Sequence, residues 1–411
     1  MSRPQKRAAG ARVAARGHRA NTAVEAGLVV TLVWAASRVL VVVTLLWALL
    51  RGRPINEALT GWDAAIYTRL AIEGYTKDTD AAFFPGLPLV LRGFAQLGLN
   101  PPVVGMVLAI VCSGFAAWAL FRLGSQWRPG KAQPVLGGLA ASLWLLAPTT
   151  VFATVAYTEA PFCAAAFWAW ERARAKHWPA AALLTAVACS LRVSGVFLLV
   201  ALLVMAAVGD RSWRRGRHGL DDRDHQQRGR AVAWMCAPVL VLVVHAWWLQ
   251  QATGSWTAWI DAQQSGWARG FTHPWQALKH TWAAIDPKMW PGRPRVGWVF
   301  LAEIISMALG VVTTLACLVQ RRWAEAVWVA LQVAALGTSY WYMSVNRALL
   351  LWFPLFLLAA GLLVDQLPRP TSAAKRATRR RGVAAIAVVA LVCSVLAAAW
   401  AWLFFSGQWA S

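Results

Sequence analysis

Apolar residues in this chain gather in blocks rather than at alternating positions. Most blocks run to about 20 residues, the length that carries a helix across roughly 30 Å of hydrocarbon. They fall near residues 24–50, 101–123, 135–156, 159–170, 178–191, 193–209, 231–250, 298–320, 323–342, 348–365 and 383–406. The pattern predicts an all-α polytopic membrane protein with about eleven transmembrane helices. The blocks at 159–170, 178–191 and 193–209 are short, so tilted, broken or re-entrant helices are expected there.

Two long stretches, 51–99 and 251–297, interrupt the blocks. In the first, Leu59, Trp62, Ile66, Leu70 and Tyr75 recur at near-helical spacing with polar residues between them, which predicts an amphipathic helix over 56–75. The second carries Trp256, Trp259, Trp267, Trp275, Trp282 and Trp290. Tryptophan favours the headgroup zone, where its ring is apolar and its N–H is wet. Interfacial anchoring is the plain reading of these rings. Stacking on a sugar or gripping a lipid tail is the functional one.

Composition sharpens the membrane reading. The chain has 411 residues, 59% hydrophobic and 14% charged, with a mean hydropathy of +0.49. That charge content is far below the roughly 25% of a soluble domain. The net charge is +23, from 40 Lys and Arg against 17 Asp and Glu. Most of the basic residues cluster in the gaps Met1–Arg19, Arg122–Lys131, Arg172–Lys176, Arg211–Arg230, Arg321–Arg322 and Arg369–Arg381. With alternating spans these gaps share one side, which the positive-inside rule assigns to the cytoplasm. The amino terminus is then cytoplasmic, residues 1–23 form a basic, disordered tail, 24–406 make one membrane domain, and 407–411 a short extracytoplasmic tail. Both long stretches lie outside. Such basic loops suit an anionic lipid surface, and without interleaved aromatics they do not point to nucleic acid. The six cysteines all sit in apolar blocks without metal-like spacing and read as small core residues.

Charged groups at the edge of a membrane are costly and mark candidate chemistry. Asp63, just after the first span, sits where partial desolvation makes a carboxylate a better proton acceptor; a helix cap or a solvated face is the alternative. Glu159 lies at the outer turn between two apolar blocks and needs a cationic partner, for which Arg192 and Arg347 are candidates. Arg192 is either that structural partner or a phosphate contact. Arg347 starts the tenth block and has the fork geometry that phosphates accept. Asp78-Thr79-Asp80 has the DxD spacing of nucleotide-sugar sites, but it falls outside, where such donors are absent, and reads as a solvated loop. His245 and His273 read as hydrogen-bonded structure.

Several of these residues sit in recognisable strings. Gly61-Trp62-Asp63-Ala64-Ala65-Ile66-Tyr67, Ile72-Glu73-Gly74-Tyr75 and Ala82-Phe83-Phe84-Pro85-Gly86-Leu87-Pro88-Leu89 resemble the first outer loop of PIG-V-like mannosyltransferases, relatives of the GPI second-mannose transferase. Ala156-Tyr157-Thr158-Glu159-Ala160-Pro161-Phe162 is similar to that family's Tyr-Thr-Glu element, and Ser190-Leu191-Arg192-Val193-Ser194-Gly195 to its Thr-Arg-x-x-Gly element. Ala262-Gln263-Gln264-Ser265-Gly266-Trp267-Ala268-Arg269-Gly270-Phe271 with Pro274-Trp275 resembles the second loop of bacterial members. Asn346-Arg347-Ala348 through Phe353-Pro354-Leu355-Phe356 is similar to the family's Pro-Arg-Tyr and Phe-Pro-Leu-Phe stretch, with Asn346 and Ala348 replacing the usual Pro and Tyr.

The resemblance implies a GT-C-type glycosyltransferase in the cell membrane, with an extracytoplasmic active site. It implies a mannose donated by a polyprenyl-phosphate carrier to a glycolipid, glycan or protein acceptor, by inversion and with neither metal nor cofactor. Asp63 matches the family's catalytic acid and is expected to act as general base. Arg347, Arg192 and Arg69 are the expected phosphate ligands, in that order. Trp62, Tyr67, Tyr157, Glu159, Gln263, Trp267 and Arg269 are expected to shape the substrate pocket. Two rivals remain at this point: a non-catalytic partner of another glycosyltransferase, and a lipid flippase or transporter.

Overall fold

A computed structural model of the chain describes residues 3–128, 133–208, 222–293, 295–368 and 371–410, with side chains from residue 21 onward and excluding those of 222–225. Most of the basic stretch 1–23 and of Arg211–Arg230 therefore falls outside the described side chains. The described residues are helical and irregular, with no strand among them.

In chain order the helices are α1 (Arg3–Leu50), α2 (Ile55–Leu59), α3 (Asp63–Glu73), α4 (Gly86–Gln96), α5 (Pro101–Ser125), α6 (Pro134–Leu145), α7 (Glu159–Arg174), α8 (Trp178–Leu191) and α9 (Ser194–Val208). They continue as α10 (Asp222–Trp234), α11 (Cys236–Thr253), α12 (Ala258–Trp267), α13 (Pro274–Ala283), α14 (Val296–Val319), α15 (Trp323–Gly337), α16 (Val345–Ala348), α17 (Phe353–Asp365) and α18 (Ala373–Phe405).

Each apolar block is occupied by a helix, but the helices fall into two groups. Five stretches among the described residues are long and apolar enough to cross a membrane: Asn21–Leu50, Pro101–Ser125, Gln226–Thr253, Val296–Val319 and Ala373–Phe405. A sixth is the pair Val345–Leu351 and Phe353–Asp365, bent by 73°. The helices Pro134–Leu145, Trp178–Leu191, Ser194–Val208 and Trp323–Gly337 are apolar but shorter. The protein is thus an all-α, multi-pass membrane protein. The long helices expose rows of apolar side chains, such as Leu28, Leu32 and Val39 on α1 and Val388, Leu391 and Val395 on α18. A surface of that kind is stable against lipid, not water.

The breaks have local causes. Helix α6 stops before Pro148, which disfavours helical backbone at the preceding residue. Arg38 of α1 fills the break: it donates to the last α6 carbonyl, Leu145, at 3.5 Å, and within the turn that follows to the Ala153 carbonyl and Thr154 Oγ1, both at 2.8 Å, and to Thr150 Oγ1. The cost of a buried guanidinium is offset by these bonds. Before α17, the indoles of Trp144 and Trp328 donate to the carbonyls of Leu350 (2.8 Å) and Leu351 (3.1 Å) and hold the bend open. Helices α5 and α6 approach at Gly124 and Gly137, where a Cβ on Gly124 would fall 2.6 Å from the Gly137 Cα. Small residues permit that approach in a lipid-facing bundle.

The long stretches fold as short helices. The first carries α2, α3 and α4, and the second α12 and α13. The single amphipathic helix expected over 56–75 is in fact two, because Trp62 adopts φ of 54° and breaks it. Cys163, Cys189 and Cys317 are buried, but Cys236 is exposed, so the core reading fails for that residue.

Candidate active site

The charged groups meet where helices begin or stop. Asp63 is the first residue of α3, and Glu159 the first residue of α7. Both carboxylates therefore sit at the positive end of a helix dipole. Arg192 follows the last residue of α8 in extended backbone, Arg269 follows the left-handed Ala268 that ends α12, and Arg347 lies in the four-residue α16. Together they line a cleft open to solvent whose apolar walls include Phe83, Phe84, Trp259 and Trp267.

The central arrangement is a chain of charges. Arg347 Nη1 donates to Asp63 Oδ2 at 2.5 Å. Its Nε lies 3.8 Å from Glu159 Oε1, and Arg192 Nη1 lies 2.9 Å from the same oxygen. Glu159 is buried, and among the described residues neither of its oxygens has a partner in hydrogen-bonding geometry. The ion pair neutralises its charge but leaves its acceptor capacity unspent, which is costly in a fully folded core and useful in a binding site. Both expected partners of Glu159 are confirmed by position.

Behind the carboxylates the backbone is fixed. Tyr157, fully buried, accepts the Asp63 amide on its hydroxyl at 3.1 Å. Tyr67 contacts Thr158 Oγ1 through its hydroxyl at 3.4 Å, and burial raises its pKa so that it stays neutral. The turn that presents Arg347 is held by Glu303 of α14, whose two oxygens accept the amides of Ser344 (2.9 Å) and Asn346 (2.8 Å). Thr149 donates to the Asn346 carbonyl at 3.0 Å. The Phe83-Phe84 wall is pressed against the end of α8 by Gly86, where a Cβ would meet the Ser190 carbonyl at 2.6 Å. No other residue fits that approach.

Of the residues singled out from sequence, Asp63, Tyr67, Glu159, Arg192, Gln263, Trp267, Arg269 and Arg347 line the cleft. Trp62 and Tyr157 do not. Trp62 is exposed, with its indole donating to the Gln408 carbonyl at 3.2 Å, and Tyr157 supports Asp63 from behind. Arg69 is the clear correction. It lies outside the cleft lining and is clamped by both oxygens of Asp80, one of them at 3.0 Å. A guanidinium held this way has no fork left for a phosphate.

Asp80 itself is not a solvated loop residue. It is buried and also accepts the amides of Thr76 (3.0 Å) and Lys77 (2.9 Å). Burial works against its charge, but the Arg69 guanidinium and these amides outweigh it and hold the carboxyl below the usual range. Helix α12 packs on this turn, and Gln263 Nε2 donates to the Ala82 carbonyl at 3.3 Å. The DxD string is thus a structural latch for the cleft wall.

The loop tryptophans divide. Trp256, Trp275 and Trp282 are exposed in the manner of interfacial anchors, whereas Trp259 and Trp267 line the cleft. Trp290 donates to the Ala284 carbonyl at 2.8 Å. His273 caps α13 by accepting the Trp275 amide at 3.4 Å, as its structural reading requires. His245 packs on Phe84 and Trp248, but neither ring nitrogen finds a hydrogen-bond partner among the described residues. Among the described residues, no three His, Cys, Asp or Glu side chains cluster as a metal site would require.

Sequence reasoning missed Glu303, although the signal was present: a lone carboxylate inside the apolar block 298–320. It also missed Trp259, which looked like any other interfacial ring.

No protein-family model matches the chain. It is 32% identical over 158 residues to GPI alpha-1,6-mannosyltransferase 2 of Mus musculus, covering 35% of this chain and 31% of that protein. It is 33% identical over 157 residues to the protein of that name from Rattus norvegicus, covering 34% and 31%. GPI mannosyltransferase 2 of Chaetomium globosum matches at 28% over 134 residues, covering 28% of each chain. The alignment thus spans about a third of each relative's length. Over that part, the chain is distantly related to proteins named GPI mannosyltransferase 2.

Proposed function

We propose that the protein is a membrane glycosyltransferase of the PIG-V-like kind, a bacterial member, that transfers mannose from a polyprenyl-phosphate donor. The acceptor is a hydroxyl on a glycolipid, cell-envelope glycan or protein. The observation that carries this reading is the cleft itself: a carboxylate at a helix start, a second carboxylate with open acceptor capacity, and three guanidiniums, walled by aromatic rings. The named relatives supply the sugar. The basic gaps support a cytoplasmic amino terminus in the plasma membrane and an extracytoplasmic cleft.

The chemistry follows from the charges. Asp63 takes the proton of the acceptor hydroxyl as that oxygen attacks the anomeric carbon from the face opposite the phosphate. One displacement inverts the configuration. Negative charge grows on the leaving phosphate, and the guanidiniums of the cleft stabilise it. Glu159, with two unspent acceptor positions, receives sugar hydroxyls. Trp267 and Tyr67 bound the sugar ring. The exposed apolar faces of the long helices leave the polyprenyl tail in lipid while its headgroup enters the cleft. The mechanism asks for no metal.

The test is transfer by the purified chain in nanodiscs. Radiolabelled polyprenyl-phosphate mannose, offered with a membrane glycolipid extract and EDTA, is expected to yield labelled product. GDP-mannose offered alone is expected to yield none. Label transferred from GDP-mannose, or transfer abolished by EDTA and restored by a divalent cation, contradicts the proposal.

A further inference from the structure

The three guanidiniums of the cleft are not equally engaged. Arg347 is paired with Asp63 at 2.5 Å, and Arg192 with Glu159 at 2.9 Å. Arg269 lines the same cleft, yet among the described residues it makes no ion pair and its guanidinium no hydrogen bond. Burial, and then the nearby Arg347, lower its pKa to about 10 against the pull of Asp63, which leaves it charged at neutral pH. Tyr67 stays neutral, and Glu303 lies outside the lining, where it accepts the Ser344 and Asn346 amides and attracts Arg269 from a distance. Three guanidiniums against two carboxylates leave the lining with one net positive charge. That is the complement of a phosphodiester monoanion. A pyrophosphate-linked donor carries more charge than the lining can neutralise.

We propose that Arg269 anchors the phosphate of the bound donor, and that Arg347 passes from Asp63 to that phosphate as transfer occurs. The proposal rests on the reading of Asp63 as the base. The acceptor oxygen forms its bond to the anomeric carbon while the bond from that carbon to the phosphate oxygen breaks. The electron pair stays on the phosphate oxygen, and the acceptor proton goes to the Asp63 carboxylate.

The phosphate therefore gains one negative charge in the step in which Asp63 loses one. The attraction that holds Arg347 on Asp63 disappears as a new partner for it appears. The summed charge of the cleft lining and its contents is the same before and after, which matters where little water remains to screen charge. Glu159 Oε1, 3.8 Å from Arg347 Nε, keeps the other edge of the guanidinium engaged during the exchange.

The two arginines then have separable signatures. Binding of polyprenyl-phosphate mannose and of short-chain polyprenyl phosphate is measured on the full chain in nanodiscs, for wild type, Arg269→Gln, Arg269→Lys, Arg347→Gln and Asp63→Asn. Arg269→Gln is expected to weaken donor binding about ten- to a hundredfold, the loss of one charge-assisted contact. Arg269→Lys, which keeps the charge, restores most of it.

Arg347→Gln is expected to lower kcat while donor binding changes by less than about threefold, as for a contact made only in the transition state. Asp63→Asn, whose neutral amide releases Arg347, is expected to bind polyprenyl phosphate about tenfold tighter than wild type, with a smaller gain for the donor. Unchanged donor binding in Arg269→Gln, or no product gain in Asp63→Asn, overturns this proposal and leaves the transferase reading standing. Failure of the wild type to bind either lipid removes that reading as well.

Discussion

Two buried arginine–carboxylate arrangements stand close together in this protein, and they are finished differently. In the Arg69–Asp80 pair every strong acceptor is used: the guanidinium takes both oxygens, and the Thr76 and Lys77 amides add two bonds. In the Asp63–Arg347–Glu159–Arg192 chain the charges balance but the hydrogen bonds do not, since Glu159 has no partner in good geometry on either oxygen. A satisfied pair holds a fold together, and an unsatisfied one waits for a ligand. The first latches the loop under α12, and the second faces the cleft.

The largest expected effect that sharpens this contrast is on stability. Asp80→Asn takes the anion from the partly exposed Arg69 and weakens the acceptor of the Thr76 and Lys77 amides, and is expected to cost about 2–3 kcal/mol. The thermal unfolding temperature in detergent reads it. Glu159→Gln should leave that temperature much closer to wild type but lower turnover about ten- to a hundredfold, through lost contacts to substrate hydroxyls. A Glu159→Gln protein that melts early with normal turnover per folded molecule would make Glu159 structural after all. Trp267→Ala, which removes one wall of the cleft, is expected to raise the donor KM several-fold, on the order of 1 kcal/mol, with kcat little changed.

The smallest effect is a pH dependence. The Asp80 carboxyl is held below its usual range. Its contribution to stability is therefore complete above the unfolded value near ~4 and is lost as pH falls through the lower folded value. Acid unfolding of wild type should steepen below about pH 4 relative to Asp80→Asn, which has no such proton to bind. Parallel acid profiles would mean that the latch carries no linked charge.

How much of this was legible in the sequence depended on range. Asp63 was readable because its surroundings are local: a span ends, a short amphipathic helix begins, and the carboxylate heads it. Its pairing with Arg347 was not, because 284 positions separate them and the contact depends on how α16 is bent against α17. Arg69 looked like a phosphate ligand although Glu73 lies one turn on in its own helix; the carboxylate that clamps it arrives eleven positions later, from a turn that spacing alone marks as solvated. The short blocks at 159–170 and 178–191 hold short, unbroken helices, whereas the sharp bend falls in the block 348–365 that periodicity reads as one span. What holds the breaks lies in tertiary contacts such as Arg38 on the turn after α6 and the Trp144 and Trp328 indoles before α17, which no periodicity reveals. Glu303 was legible and overlooked, since a lone carboxylate in an apolar block always demands a partner.

The central claim is that Asp63 removes the acceptor proton, and single-turnover transfer by Asp63→Asn tests it most directly. The variant is loaded with labelled polyprenyl-phosphate mannose in nanodiscs, the bound donor is counted, and acceptor lipid is added. The account predicts full donor loading and a transfer rate lower by about 10²- to 10⁴-fold, the usual share of a general base. Transfer at the wild-type rate from a fully loaded variant would contradict it, and would make Asp63 no more than the partner that holds Arg347.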